Sequence, residues 1–350
     1  MKFLATASFS LALFFSIYNN DNLPVNKIQV IGSHNSYKQA MAPALFKFFY
    51  QKDSVAANGI DYGHSSLESQ LNLGLRNLEI DVFADSEGGK YANPKGLEWA
   101  KDQPPYDVGK EMLEPGFKVL HVQDLDFRSS VLTFKGALIK LRKWSEANPG
   151  HTLIFITLEG KDDKISIRGL ASPEKFTQQV FDELDKSIIE NLGLKHLITP
   201  DLVRGKFKTL EEAVLNQNWP TVKVSKGKFM FVLDAVGEKR AAYIKDHRSL
   251  KGRVMFANAD PGNPEAAFLI RNNPGSIEIP TLVKKGYIIR TRADSGTKQA
   301  RENDYTNFKA ACASGAQIIT TDYYLRSTHF KSDYVVKFEN EKYFRKNPLF

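Results

Sequence analysis

Leu78-Glu79-Ile80-Asp81-Val82-Phe83 places most constraint on how this chain folds. Side chains alternate across a strand, so Leu78, Ile80 and Val82 share one face while Glu79, Asp81 and Phe83 share the other. Two carboxylates thus project the same way from an otherwise apolar segment. Buried charge is costly unless it is paired or bound to a cation. The segment reads as a solvated edge strand, a pair of salt bridges to Lys or Arg, or one wall of a cation site. The rest of the chain favours the last reading, because several other strands end in polar residues of matching chemistry.

Further strands are expected at Lys27–Gly32, Lys118–His121, Thr152–Leu158, Lys228–Asp234, Arg253–Ala257, Tyr287–Arg292 and Gln317–Thr321. The run at Thr152–Leu158 is apolar on both faces, as in a parallel sheet covered on both sides. Helices are expected near Ser65–Leu73, in a stripe through Val131, Phe134, Leu138 and Leu141, and from a Ser172-Pro173 start through Phe176, Val180, Leu184 and Ile188. Others fall at Thr209, whose Glu212 makes a capping box, and near Glu238–His247, Pro264–Asn272 and Lys298–Ala313, with Gly315 closing the last. Residues 85–116 carry no helical period and are rich in Gly and Pro, which suits a long functional loop. Eight strands alternating mostly with helices predict a single (β/α)8 TIM barrel domain over residues 21–350, with a doubly wound sheet as the alternative.

In such a barrel the chemistry sits at the C-terminal strand ends. Those ends carry His34 and Asn35, Glu79 and Asp81, His121, Glu159, Asp234, Asn258 and Asp260, Arg290, Arg292 and Asp294, then Asp322 and Tyr323. Asn35, Glu79, Asp81 and Glu159 are all oxygen donors with no cysteine beside them, which favours Ca²⁺, or less readily Mg²⁺, over zinc. His34 and His121 are suited to act as base and acid about a phosphate, because imidazole titrates near neutrality. The remaining histidines, His64, His151, His196, His247 and His329, lack such surroundings and read as surface or structural residues.

Charge and the N-terminus bear on partners. The formal charge of +8, from 48 basic against 40 acidic residues, is spread rather than blocked. It points weakly to an anionic surface such as a membrane. No aromatic-and-basic motif for nucleic acid occurs. Met1-Lys2 followed by the mostly apolar Phe3–Tyr18 has the layout of a secretory signal over residues 1–20, with a secreted or periplasmic product. It is short for a membrane span. Cys312 is the only cysteine, so an exported form has no internal disulfide.

The order Gly-Ser-His34-Asn35-Ser-Tyr, Leu-Glu79-Ile-Asp81, His121 and Leu-Glu159 resembles the catalytic region of phosphoinositide-specific phospholipases C. It is most similar to the bacterial Ca²⁺-dependent family. His121-Val-Gln-Asp124-Leu-Asp126-Phe, Trp144 to His151, Leu158 to Asp163, Arg290-Thr-Arg292-Ala-Asp294 and Thr321-Asp322-Tyr323 look like further family blocks, and the likeness runs over about residues 25–330. The resemblance implies a distorted barrel that cleaves phosphatidylinositol to diacylglycerol and an inositol (cyclic) phosphate. It implies Asn35, Glu79, Asp81 and Glu159 as Ca²⁺ ligands. Glu79 or His34 would be the base for the inositol 2-hydroxyl, and His121 the acid for the leaving oxygen. Lys161, Asp234, Arg290, Arg292, Asp294 and Tyr323 would contact substrate, although the two arginines are also placed to pair with Asp294. One departure is the end of strand five: eukaryotic members carry lysines there, whereas this chain has Val232-Leu233-Asp234, a carboxylate that would repel a phosphorylated ring.

Met41–Tyr50, containing Leu45, Phe46, Phe48, Phe49 and Tyr50 with Lys47, follows strand one. It either dips into a bilayer interface, giving peripheral membrane contact, or packs on the barrel. The chain is read as a monomer. Two competing functions are a glycerophosphodiester phosphodiesterase and, from another class, a non-catalytic secreted barrel that binds lipid or glycan.

Overall fold

The computed structural model describes residues 20–165 and 169–350, so the expected signal segment lies almost wholly outside the described residues. The strands are β1 (Ile28–Ser33), β2 (Asn77–Asp85), β3 (Gly116–Lys118), β4 (Ile154–Gly160), β5 (Phe229–Leu233), β6 (Met255–Ala257), β7 (Phe268–Ile270), β8 (Ile288–Arg292), β9 (Ile318–Thr321) and β10 (Phe344–Lys346). Eight run parallel in the order β6-β5-β4-β2-β1-β9-β8-β7. The outer two meet through a parallel bridge between Asn258 and Phe268. An Ala259 N–H also donates to the Phe268 carbonyl at 3.2 Å. The sheet is therefore a nearly closed (β/α)8 barrel, not a doubly wound sheet.

Two strand assignments differ from expectation. Lys118–His121 is not a barrel strand. Its first residue ends β3, which pairs antiparallel with the far end of β2 and lies outside the barrel. The position it was expected to fill belongs to β4. The eighth staff is instead β7, within the stretch expected to be the Pro264–Asn272 helix. Ala266–Ile270 is a short apolar run, and periodicity alone does not separate such a run from a buried helix segment. Pairing decides it: Phe268, Leu269 and Ile270 lie opposite Ile288, Ile289 and Arg290.

The helices follow their caps. Phe134–Ala147 starts where Thr133 accepts the Gly136 N–H, and it buries Phe134, Leu138 and Leu141. Leu67–Leu73 starts at Ser66 and ends at Gly74, whose φ of 115° suits glycine alone. The helix expected from Ser172 begins later, at Gln178, capped by Thr177. The residues before it are diverted, because the Phe176 N–H donates to Asp162 at 3.2 Å. Thr209 caps Leu210–Leu215 as expected, although Glu212 reaches the Lys208 N–H and not that of Thr209.

Residues 85–116 hold a helical turn at Gly96–Trp99 and a 3-10 turn at Glu111–Leu113. Part of this segment packs on the helix Pro43–Lys52. Phe48 stacks on Trp99 with centroids 5.8 Å apart, and Met41 and Leu45 are buried with Ala100 and Phe127. Phe46, Phe48 and Phe49 are half-buried in the same cluster. At the barrel itself Gly32 is required by close approach, since a β-carbon there would fall 2.4 Å from the Asn77 β-carbon. That contact draws the end of β1 onto β2.

Candidate active site

Beyond Gly32 and Ser33 the chain turns sharply. Asn35 takes a φ of 47°, a left-handed conformation that asparagine tolerates better than most residues. The turn is bolted on both sides. The His34 N–H donates to the Thr321 carbonyl at 3.1 Å, and the Ser36 N–H donates to the Glu79 carbonyl at 2.8 Å. His34 thereby hangs over the strand ends with its ring fixed. Its Nδ1 lies 2.9 Å from Asp322 Oδ1, 3.2 Å from Arg292 Nη2 and 3.3 Å from the Tyr62 hydroxyl. Its Nε2 faces Glu79 Oε1 at 3.5 Å. Burial, and then the Arg292 charge, pull the imidazole well below its ordinary pKa. His34 is thus neutral at pH 7, the state a base needs.

Glu79 and Asp81 do share a face. Glu79 Oε2 pairs with Arg290 Nη2 of β8, which is not a neighbour of β2, so both side chains reach into the barrel interior. Asp81 lies opposite Glu159 in the β2–β4 register. Lys161 bridges them, with Nζ 3.1 Å from Glu159 and 3.6 Å from Asp81. Burial and the Glu159 charge hold Asp81 well above the carboxylate range. Lys161 is raised despite its burial, because Asp81 and Glu159 favour its charge. Lys161 therefore meets the expected metal ligands themselves.

Among the described residues, no three Asp, Glu, His or Cys side chains are drawn together as a ready cation cage. The donor chemistry nevertheless fits Ca²⁺. Glu79, Asp81, Glu159 and Asn35 stand on or just beyond the neighbouring strands β1, β2 and β4, and Asp81 Oδ1 is buried without a hydrogen-bond partner. In the protein alone their charge is met by Lys161 and Arg290.

His121 sits off the barrel, in a tight turn closed by the Val122–Asp126 bridge. Its Nδ1 lies 2.7 Å from Asp126 Oδ2. Asp234, at the end of β5, is raised to about 6 by burial against the opposing Arg290 charge. Arg290 and Arg292 do not pair with the Asp294 carboxylate. Arg290 takes Glu79, while Arg292 Nε donates to the Asp294 carbonyl at 3.0 Å.

Asp294 and Tyr323 are placed behind the site. Asp294 accepts from the Thr321 hydroxyl, the Asp322 N–H and the Tyr334 hydroxyl, so its oxygens are taken and it braces Asp322. Burial and the neighbouring Asp322 push its carboxyl up to about 7. Tyr323 packs edge-on against Phe330 and Tyr334. In the protein alone Asp294 is engaged by Thr321, Asp322 and Tyr334, and Tyr323 by its aromatic neighbours.

Three contributors escaped the sequence reading. His64, read as a surface or structural residue, is structural and tied to the site: its Nε2 donates to the His34 carbonyl at 2.8 Å, and its ring stacks on Tyr324. Tyr62 receives the Asn35 amide at 2.9 Å. Lys38 is fully buried and lies 3.3 Å from Asp126. Lys38 stands three residues past Asn35, so its place was visible, but nothing local reveals a buried ammonium.

Comparison with known proteins agrees with this geometry. The family model for Ca²⁺-dependent phosphoinositide phospholipase C matches residues 23–348. No curated protein sequence matches the chain. Among solved structures, a calcium-dependent phosphoinositol-specific phospholipase C from Pseudomonas sp, apo form, aligns with a TM-score of 0.57 at 14% identity, covering 93% of this chain and 96% of its own. A Ca²⁺-dependent phosphatidylinositol-specific phospholipase C from Streptomyces antibioticus aligns with a TM-score of 0.55 at 18% identity, covering 86% and 95%. At these identities the likeness shows the shared barrel. The family match over nearly the whole chain shows the rest: this protein is a member of the Ca²⁺-dependent phosphoinositide phospholipase C enzymes.

Proposed function

We propose that the protein cleaves phosphatidylinositol to diacylglycerol and an inositol cyclic phosphate by attack of the inositol 2-hydroxyl. The observation that carries this reading is a pair of imidazoles, each held at Nδ1 by its own carboxylate, with the His34 ring facing the Glu79 carboxylate of β2 at 3.5 Å. Asn35, Glu79, Asp81 and Glu159 would hold Ca²⁺, whose charge offsets that of the phosphate and of the ionising hydroxyl. His34, neutral and turned toward Glu79, takes the hydroxyl proton. Asp322 holds the proton on Nδ1, which leaves Nε2 free for that work. Arg290 and Arg292 supply fixed positive charge near the phosphodiester. His121, oriented by Asp126, gives its proton to the departing diacylglycerol oxygen. Water then opens the cyclic ester in a second, slower passage through the same two groups.

Asp234 disfavours an inositol ring that carries further phosphates, so unphosphorylated phosphatidylinositol is the preferred substrate. The helix Pro43–Lys52 presents Lys47, Tyr50 and Lys52 outward and is read as a peripheral membrane contact. Phe48→Ser with Phe49→Ser should weaken sedimentation with anionic vesicles, and unchanged binding removes that contact. The N-terminal twenty residues are read as an export signal, testable by sequencing the mature N-terminus from the culture medium. Headgroup release tests the substrate directly. Phosphatidylinositol should be cleaved and glycerophosphoinositol and glycerophosphocholine left intact. The reverse pattern would make the enzyme a glycerophosphodiester phosphodiesterase.

A further inference from the structure

We infer that Lys38 is a positioning residue for the reaction: its buried ammonium shares the Asp126 carboxylate with His121 and sets how firmly that pair keeps its proton. The inference rests on His121 as the acid. Lys38 Nζ lies 3.3 Å from Asp126 Oδ2, the same oxygen that meets His121 Nδ1 at 2.7 Å. The ammonium also donates to the Tyr62 carbonyl at 2.6 Å and sits 4.6 Å from the Tyr62 ring centroid. The Tyr62 hydroxyl in turn touches His34 Nδ1 and the Asn35 amide. One cation therefore stands beneath both imidazoles.

The backbone of Lys38 ties the same parts together. Its N–H donates to the Asn35 carbonyl at 2.8 Å, and its carbonyl accepts the His64 N–H at 2.8 Å. It also bridges to Ser129 in the segment that follows the His121 turn. A structural brace alone would not require an ion here, since burying one costs several kcal/mol and an apolar side chain can fill such a space as well.

The charge has a consequence for catalysis. Burial raises Asp126, but Lys38 and His121 together hold it below the ordinary carboxylate range. Tyr37 and Tyr62 are the other titratable groups facing Asp126. His34 and Asp322 face His121 from the ends of β1 and β9. A buried carboxylate left to His121 alone would grip the imidazolium and slow its release of a proton. With the ammonium beside it, Asp126 orients the ring without over-stabilising its charge. In the step itself the proton leaves His121 Nε2 for the diacylglycerol oxygen as the phosphorus–oxygen bond breaks, and Lys38 takes no part in the transfer.

The test is the pH–rate profile of Lys38→Met, with folding checked by circular dichroism and melting. The alkaline limb of kcat/KM should move up by about one pH unit and kcat should fall about tenfold, the equivalent of one unit of interaction between the charges. The double variant Lys38→Met/Asp126→Asn buries no lone charge and serves where the single variant does not fold. Its alkaline limb should lie below that of the wild type, because no carboxylate then favours the imidazolium. A folded variant whose limb coincides with the wild type's, whatever its melting temperature, makes Lys38 a brace only and overturns the inference. His121→Ala is the control. If that variant keeps full turnover, the acid assignment itself has failed, which is a separate result from coincident limbs.

Discussion

His34 and His121, the two imidazoles proposed for the reaction, are held by two different frameworks. His34 is held by the barrel. Its partners Asp322 and Arg292 lie 288 and 258 positions away in sequence, and Glu79 comes from a third strand. His121 is held by a turn, and its carboxylate Asp126 is five positions on. One imidazole is part of the fold's long-range order, while the other is a local device attached through Lys38. The difference teaches where damage should spread. Changes at the His121 turn should remove activity and leave the barrel standing. Changes around His34 should cost both.

The largest effect tests the local side. His121→Ala should lower kcat about a thousandfold, within the usual 10²–10⁴ range for a general acid. Ca²⁺ affinity by calorimetry and the melting temperature should stay near the wild type. A parallel loss of Ca²⁺ binding or of the fold would erase the distinction between the two frameworks.

The barrel side is broken next. Glu79→Gln leaves the buried Arg290 guanidinium without its anion, at a cost of about 3–5 kcal/mol, together with loss of turnover. Urea unfolding measures this, and a wild-type midpoint with only activity lost would place Glu79 outside the barrel's structural order.

Asp234 sharpens the comparison by pH. With its carboxyl raised to about 6, it is neutral below that pH and anionic above it. Discrimination against phosphatidylinositol 4,5-bisphosphate should therefore grow as pH rises through 6, on the order of tenfold. Asp234→Asn should flatten the dependence. Equal turnover of the two lipids in mixed micelles at pH 8 contradicts this role.

The smallest effect concerns His64, which supports His34 from behind. Burial lowers its pKa to about 4 from the ordinary 6.5. Below pH 6.5 the unfolded chain takes a proton that the folded chain refuses, so stability present above 6.5 is lost as pH falls toward 4. Between pH 7 and 5 the loss should be about 1–2 kcal/mol, and His64→Gln should remove it. An unchanged pH slope in that variant means that another group carries the titration.

The same contrast explains what was legible in the sequence. Seven barrel strands could be read because their apolar runs are buried on both faces and end in polar clusters, as at Ile154–Gly160 followed by Lys161. His121 was expected at a barrel-strand end and sits in a turn off the barrel, whereas His34, Asn35, Glu79, Asp81 and Glu159 were legible because each lies on or just beyond such a strand. β7 was not, because Ala266–Ile270 is too short for its period to separate strand from helix, and only pairing with β8 decides it. The Lys118–His121 segment misled for the opposite reason: alternation makes it extended but does not say which sheet it joins. Lys38, Tyr62 and His64 were hidden because their importance lies in contacts made after folding. The engagement of Asp294 by Thr321 and Tyr334 was equally invisible.

Phosphorus NMR of the products formed from phosphatidylinositol, with and without chelator, addresses the centre of this account. With Ca²⁺ present, an inositol cyclic phosphate resonance should grow as the lipid signal falls, and excess EGTA should stop both changes. Complete hydrolysis in EGTA, or a product lacking the inositol–phosphate bond, would contradict it.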